Sequence, residues 1–204
     1  MKTVVAAPDE LWEELSSSLI TTEVIRVNSA TDFADFSEED VYFNLFEEGY
    51  ELTGQINNAL VFINSPVNTL QENNQRENVF RINCWPGFLK RSKWEIAGAV
   101  NDKLVAYFLS LKKEFVATPD QPGFISSRIL SMIINEAYFT LSEGVSTKQE
   151  IDVAMKLGTN YPKGPFEWSQ EIGLNKVLDL LLKLAKEDAR YSPATLLHKD
   201  SFAI

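Results

Sequence analysis

Asp120-Gln-Pro-Gly-Phe-Ile-Ser-Ser-Arg-Ile-Leu130 divides this 204-residue chain into two parts of different texture. The segment Thr118-Pro-Asp-Gln-Pro122 interrupts any regular element, because two prolines withhold backbone donors and bias the residues before them away from the helical basin. Beyond it the chain is helical. Ile125, Ile129, Met132 and Ile133 recur at three- and four-residue spacing, the period of an amphipathic helix. Ser146-Thr-Lys-Gln-Glu150 supplies a capping signal for a second helix, and Leu174, Val177, Leu178, Leu181 and Ala185 mark a further one. The domain boundary is placed near Pro119, with residues 1–118 in one domain and 119–204 in the other.

Upstream of the boundary the chain reads as strands alternating with helical or polar segments. Thr3 to Ala7, Glu23 to Val27, Asp40 to Phe46, Ala59 to Ile63 and Asn78 to Cys84 are short apolar runs rich in β-branched and aromatic residues. Pro8-Asp-Glu opens a helix carrying Leu11, Leu15 and Leu19, and Gly54 to Asn58 is polar. This alternation argues for an α/β layer with a mostly parallel sheet. From Lys93 the spacing of Trp94, Ala97, Val100, Leu104, Phe108 and Leu111 predicts a helix, with Glu95 as a carboxylate in its first turn. Phe115-Val-Ala is a last short strand.

Apolar residues make up 45% of the chain and charged residues 24%, a composition that folds rather than stays disordered. The net charge of −10 repels phosphate backbones, so nucleic acid is not an expected partner. The dense basic run Lys90-Arg91-Ser-Lys93 is either a solvated turn or a site for the phosphates of an acyl carrier. No apolar stretch reaches the roughly 20 residues a membrane span needs, and Met1-Lys-Thr-Val-Val-Ala-Ala-Pro8 is too short for a secretory core. A cytoplasmic location without membrane attachment is expected. The single cysteine, Cys84, sits in an apolar strand context and reads as a buried, inert thiol.

Several motifs occur together and in order: Pro122-Gly-Phe-Ile125, Asn135-Glu-Ala137, Glu143-Gly144, Glu150-Ile-Asp152, Tyr161-Pro-Lys-Gly-Pro-Phe166 and Gly173-Leu174. Through them the stretch from Pro119 to Lys199 resembles the helical C-terminal domain of 3-hydroxyacyl-CoA dehydrogenases. Val79-Phe-Arg-Ile-Asn-Cys-Trp85 and Trp94-Glu-Ile96 resemble that family's last Rossmann strand and the segment after it. The resemblance implies an α/β plus all-α chain: a shortened Rossmann-like parallel-sheet domain followed by a helical domain like the C-terminal domain of 6-phosphogluconate dehydrogenase. It also implies a homodimer, to which the leucine-rich run Val177 to Leu184 is expected to contribute.

The same resemblance places non-catalytic residues where the family keeps its chemistry. Oxidation of a 3-hydroxyacyl-CoA needs a base for the hydroxyl proton, and the family uses a histidine oriented by a glutamate. Asn83 falls at the histidine position, and an amide does not take up that proton at neutral pH. Glu95 falls at the orienting glutamate. Ser127 replaces the family's asparagine, and the serine beside the substrate carbonyl falls on Asn68 or Thr69. Gln170 stands where an acid is usual. The only histidine, His198, reads as a solvent-edge residue near a helix C-terminus.

A dinucleotide pyrophosphate rests on a glycine-lined turn after the first strand. Here that turn is Ala6-Ala7-Pro8-Asp9-Glu10, with no glycine before Gly49, and the second strand ends on Asn28-Ser29 rather than an acid. No cofactor is therefore expected, with NAD as the alternative if the turn is misread. Three functions compete: a relative that keeps fold and dimer and binds an acyl-CoA or acyl carrier through Asn68, Thr69, Lys90 and Lys93 without oxidising it; an active 3-hydroxyacyl-CoA dehydrogenase with an altered site such as Glu95 with Ser127; and a structural or regulatory dimer without a small ligand.

Overall fold

The computed structural model describes residues 2–19, 23–36, 41–46, 59–72 and 76–202, and the chain divides into two compact units, Met1–Phe124 and Ile125–Ile204. Asp40 and the polar stretch Gly54 to Asn58 lie outside the described residues.

Among the described residues seven strands make the sheet of the first unit: β1 (Thr3–Ala6), β2 (Val24–Val27), β3 (Val41–Asn44), β4 (Leu60–Asn64), β5 (Val79–Ile82), β6 (Lys93–Ala97) and β7 (Glu114–Thr118). Their order is β2-β1-β3-β4-β5-β6-β7. All neighbours pair in parallel except β5 and β6, which run antiparallel. Strand order reverses between β1 and β3, the place where open α/β sheets bind ligands beyond their carboxyl ends.

The register explains why the central strands hold no exposed residues. Val5 pairs with Phe43, Phe43 with Phe62 and Phe62 with Phe80, so one row of large side chains crosses four strands on one face. Phe43 and Phe62 stack with centroids 4.6 Å apart, and Tyr107 and Phe108 of helix α2 (Asp102–Leu111) pack over them together with Leu15 of α1 (Asp9–Ser16). The opposite face, with Val4, Ala6, Tyr42, Val61, Ile63 and Val79, is covered by Phe33 and Leu70. Strands covered on both sides read as continuous apolar runs. Each buried Phe or Leu contributes about 1.5–3 kcal/mol relative to exposure.

One expectation fails. Residues 93–97 form a strand, not the start of a helix, and α2 begins only at Asp102 after Asn101 caps it by accepting from Leu104 N at 2.9 Å. The reason lies in the alternation Lys93-Trp94-Glu95-Ile96, which buries Trp94 and Ile96 while Lys93 is exposed and Glu95 half-buried. Gly98 then takes φ +148°, and a β-carbon there would lie 2.6 Å from Phe80. Glu95 is accordingly a strand residue rather than a helix-terminal carboxylate.

The second unit is helical: α3 (Ile125–Ser142), α4 (Lys148–Thr159), α5 (Pro165–Ile172), α6 (Leu174–Ala185) and α7 (Thr195–Asp200). Thr147 and Glu150 form the capping box of α4. Asp152 accepts from Phe166 N at 2.8 Å, and Gly164 touches its side chain so closely that no β-carbon fits. Asn135 of α3 accepts from Ala194 N at 2.8 Å and donates to Ser192 O at 3.0 Å, tying α3 to the segment before α7. Val177, Leu178, Leu180, Leu181 and Leu184 of α6 are buried within the unit, where α3, α5 and α7 pack on the helix, while Leu182 of the same run is exposed.

Candidate functional site

The β5–β6 ladder builds the centre of the site. It pairs Arg81 with Ala97 and Ile82 with Ile96, which sets the next residues out, Asn83 and Glu95, opposite each other. Their backbones meet through Asn83 N and Glu95 O at 3.4 Å. Their side chains meet too, Asn83 Nδ2 donating to Glu95 Oε2 at 2.9 Å. Asn83 Oδ1 accepts from Trp85 N at 3.3 Å, so both ends of the amide have partners and Asn83 is buried. An amide in this geometry donates and accepts hydrogen bonds but does not take up a proton near neutral pH.

The turn after Asn83 is anchored by helix α1. Glu14 Oε1 accepts from Gly87 N at 2.7 Å, and Ser18 Oγ donates to Leu89 O at 2.8 Å. Cys84 is buried beside them, and burial, reinforced by the charge of Glu14, pushes its thiol well above its usual range. Such a thiol is a poor nucleophile. Of the basic run, Lys90 and Arg91 are exposed in this turn, while Lys93 pairs with Glu114 across the β6–β7 edge at 2.7 Å.

The loop after β4 carries Asn68 and Thr69. Ser65 Oγ donates to Asn68 O at 2.7 Å, and Glu72 accepts from Thr69 N at 2.8 Å and from its hydroxyl at 3.1 Å. A residue that sequence reasoning passed over holds this loop. Arg81, fully buried on β5, donates from Nε to Ser65 O at 2.8 Å and from Nη1 to Asp120 Oδ1 at 2.7 Å. Its identity as a charged residue inside an otherwise apolar strand is the signal that could have found it, since buried charges require partners.

Ser127 belongs to the second unit, buried in the first turn of α3, so the first unit brings Asn83 and Glu95 together without it. His198 is exposed in the last turn of α7, its ring 5.2 Å from Phe202. Among the described residues no group of three or more His, Cys, Asp or Glu side chains could hold a metal, and no helix is long and apolar enough to cross a membrane.

The turn between β1 and α1 runs through Ala7 to Pro8, which caps the helix without a side-chain bond. Arg26 of β2 reaches into it, donating to Ala7 O at 3.0 Å and to the Asp9 carboxylate, with its guanidinium 5.4 Å from the Trp12 ring. Proline offers no N–H, and Asp9 and Glu10 put negative charge at the helix start. These residues do not fit a pyrophosphate held on bare glycine backbone.

Comparison with known proteins shows what the chain is similar to. The model of the 3-hydroxyacyl-CoA dehydrogenase C-terminal domain matches residues 123–200. The chain is 39% identical over 110 residues to 3-hydroxyadipyl-CoA dehydrogenase of Escherichia coli strain K12, a match covering 50% of this chain and 23% of that protein. It is 42% identical over 95 residues to 3-hydroxybutyryl-CoA dehydrogenase of Bradyrhizobium diazoefficiens, covering 46% of this chain and 32% of that one. These matches thus span only a quarter to a third of the curated relatives' length. In three dimensions, (S)-3-hydroxybutyryl-CoA dehydrogenase from Ralstonia eutropha aligns over 98% of this chain and 93% of its own with a TM-score of 0.75 and 19% identity, which shows a shared fold.

The expectation that no cofactor is bound is corrected by these matches. The relatives are dehydrogenases by name, enzymes that pass a hydride to an acceptor, and the family points to NAD rather than to none. The glycine-free turn misleads on this point: it departs from the glycine-lined dinucleotide turn and is not evidence that the family's cofactor is absent. The Rossmann-like sheet, the helical unit and the ordered motifs agree with these matches: residues 123–200 match the C-terminal domain of 3-hydroxyacyl-CoA dehydrogenases, and the fold is shared with a solved member of that family.

Proposed function

We propose that this chain is a 3-hydroxyacyl-CoA dehydrogenase-like protein of acyl-CoA metabolism that keeps the family's fold, holds an acyl-CoA or acyl-carrier ligand, and lacks the base that oxidation of a 3-hydroxyacyl group requires. One observation carries the reading: the amide of Asn83 sits against Glu95 at 2.9 Å, making the hydrogen bond an imidazole would make while offering no site for the proton. Asn68 and Thr69 serve the ligand's acyl end. Lys90 serves its phosphates, with Lys93 joining when it releases Glu114, an exposed ion pair of little strength. Acetoacetyl-CoA reduction with NADH, followed at high protein concentration, tests the reading. Background turnover together with saturable binding of acetoacetyl-CoA supports it, and turnover abolished by Asn83→Ala refutes it.

The protein is further proposed to be a cytoplasmic homodimer. Support comes from the groove between α3 and α4, of about 840 Å³, and from the exposed apolar side chains Ile129 and Val145 that line it. Apolar patches of this kind mark association surfaces. Light scattering at micromolar concentration should give twice the chain mass; a monomer would remove this part of the proposal.

A further inference from the structure

We propose that Asp120 is a positioning residue for the loop Ser65 to Glu72, and that through it the Asp-Gln-Pro-Gly-Phe motif sets where a ligand meets Asn68 and Thr69. The ligand part of this inference rests on the assignment of Asn68 and Thr69 made above. The loop itself is held by one ion pair acting at both of its ends. At its start, Arg81 donates to Ser65 O at 2.8 Å and to Pro66 O at 3.3 Å. At its far end, Asp120 accepts from Leu70 N at 3.0 and 2.9 Å through its two oxygens and from Gln71 N at 3.3 Å. Arg81 Nη1 closes the circuit on Asp120 Oδ1 at 2.7 Å.

The rest of the motif serves the same end. Gly123 takes φ +74°, a conformation open to glycine, and its N–H then reaches Pro66 O at 2.9 Å. Arg81 donates again to Gln121 O at 3.1 Å, and Phe124 lies with its ring 5.0 Å from the guanidinium. A fixed, charge-assisted pair gives geometric specificity as well as energy. Arg81 lies on β5 and Asn83 follows that strand directly, so the loop and the Asn83–Glu95 pair are referred to one element. Asp120 is 39 residues from Arg81 and 50 from Leu70 in sequence, a separation that local folding alone does not bridge.

Asp120→Asn tests this with little change of shape, since the amide still accepts from Arg81. Hydrogen exchange without any ligand is the first readout. Leu70 and Gln71 amides should exchange at least about tenfold faster than in the unmodified chain, the scale of a charge-assisted hydrogen bond, while Phe43 and Phe62 in the sheet keep their protection. Binding of acetoacetyl-CoA, followed by tryptophan fluorescence, should weaken by a similar factor. Should Asp120→Asn not fold, Leu70→Pro removes the Leu70 donor and leaves the Arg81–Asp120 pair whole; it should speed exchange at the remaining Gln71 amide and weaken acetoacetyl-CoA binding in the same way. Unchanged loop exchange, or an equal rise across loop and sheet, overturns the positioning role. A loosened loop with unchanged affinity overturns the link to the ligand. Absence of any acetoacetyl-CoA binding by the unmodified chain overturns the ligand assignment instead, and exchange alone then decides whether Asp120 holds the loop.

Discussion

Asn83 and Glu95 face each other across the antiparallel β5–β6 ladder, with amide nitrogen and carboxylate oxygen 2.9 Å apart. The ladder register, not the side chains alone, produces this approach. A neutral donor therefore satisfies a half-buried carboxylate in the place that the family resemblance gives to an imidazole. On the proposed reading the pairing is kept while its acid–base capacity is lost.

Replacing Asn83 by Asp should convert this contact into a repulsive one. Two carboxyl groups at hydrogen-bond distance share one proton, so one of them titrates above its ordinary range. Its raised value favours the folded state in acid, and that favour is lost as pH rises through it. Asn83→Asp should match the unmodified chain near pH 4 and be roughly 1–3 kcal/mol less stable at pH 8. Urea titrations across this range check it; equal stability at both pH values would show that the two groups do not interact.

The capping box of α4 predicts a pH dependence of the opposite sign. Hydrogen bonds from the Ser146 hydroxyl, then from Thr147, hold the Glu150 carboxyl below its ordinary 4.5. Its contribution to stability is present above that ordinary value and lost as pH falls through the depressed one. Asp152 runs the other way, because burial raises its carboxyl. Comparing Glu150→Ala with the unmodified chain cancels the Asp152 effect. The gap in melting temperature should be open at pH 7 and closed well below pH 4, as circular dichroism would report.

Gly164→Ala should destabilise the helical unit by about 1–3 kcal/mol, the usual cost of overpacking. The added methyl meets the Asp152 side chain, whose carboxylate also receives Phe166 N at 2.8 Å. Thermal melts of the single variant check the magnitude. Melts of Gly164→Ala in an Asp152→Gly background should show a much smaller further loss, since the Asp152 Oδ1, Cγ and Cβ atoms that the methyl meets are then gone.

Much of this architecture is legible in the chain itself. Strands covered on both faces announce themselves as unbroken apolar runs, which is why β1, β3, β4 and β5 are readable, and Thr147 with Glu150 announces the start of α4. The strand β6 is hidden because Trp94, Ala97, Val100 and Leu104 happen to fall at helical spacing, although Lys93 to Ile96 also alternates with period two. Local pattern does not decide between the two periods; Gly98 and the Asn101 cap do. Arg81 escapes for a different reason: its partner Asp120 is distant in sequence, and a strand arginine is ordinarily solvent-facing. The leucines of α6 look excessive for one packing face: α3, α5 and α7 close around all but Leu182, which stays exposed. The glycine-free turn after β1 is legible as chemistry but weighs too heavily against the family's cofactor.

The most direct test of the proposal that the base is missing is a side-by-side assay of acetoacetyl-CoA reduction by NADH with the unmodified chain and Asn83→His. Positioned acid–base catalysis contributes about 10²–10⁴-fold. The unmodified chain should turn over at background and Asn83→His should exceed it by roughly 10²-fold or more. Turnover by the unmodified chain at or above the rate of Asn83→His would contradict the account.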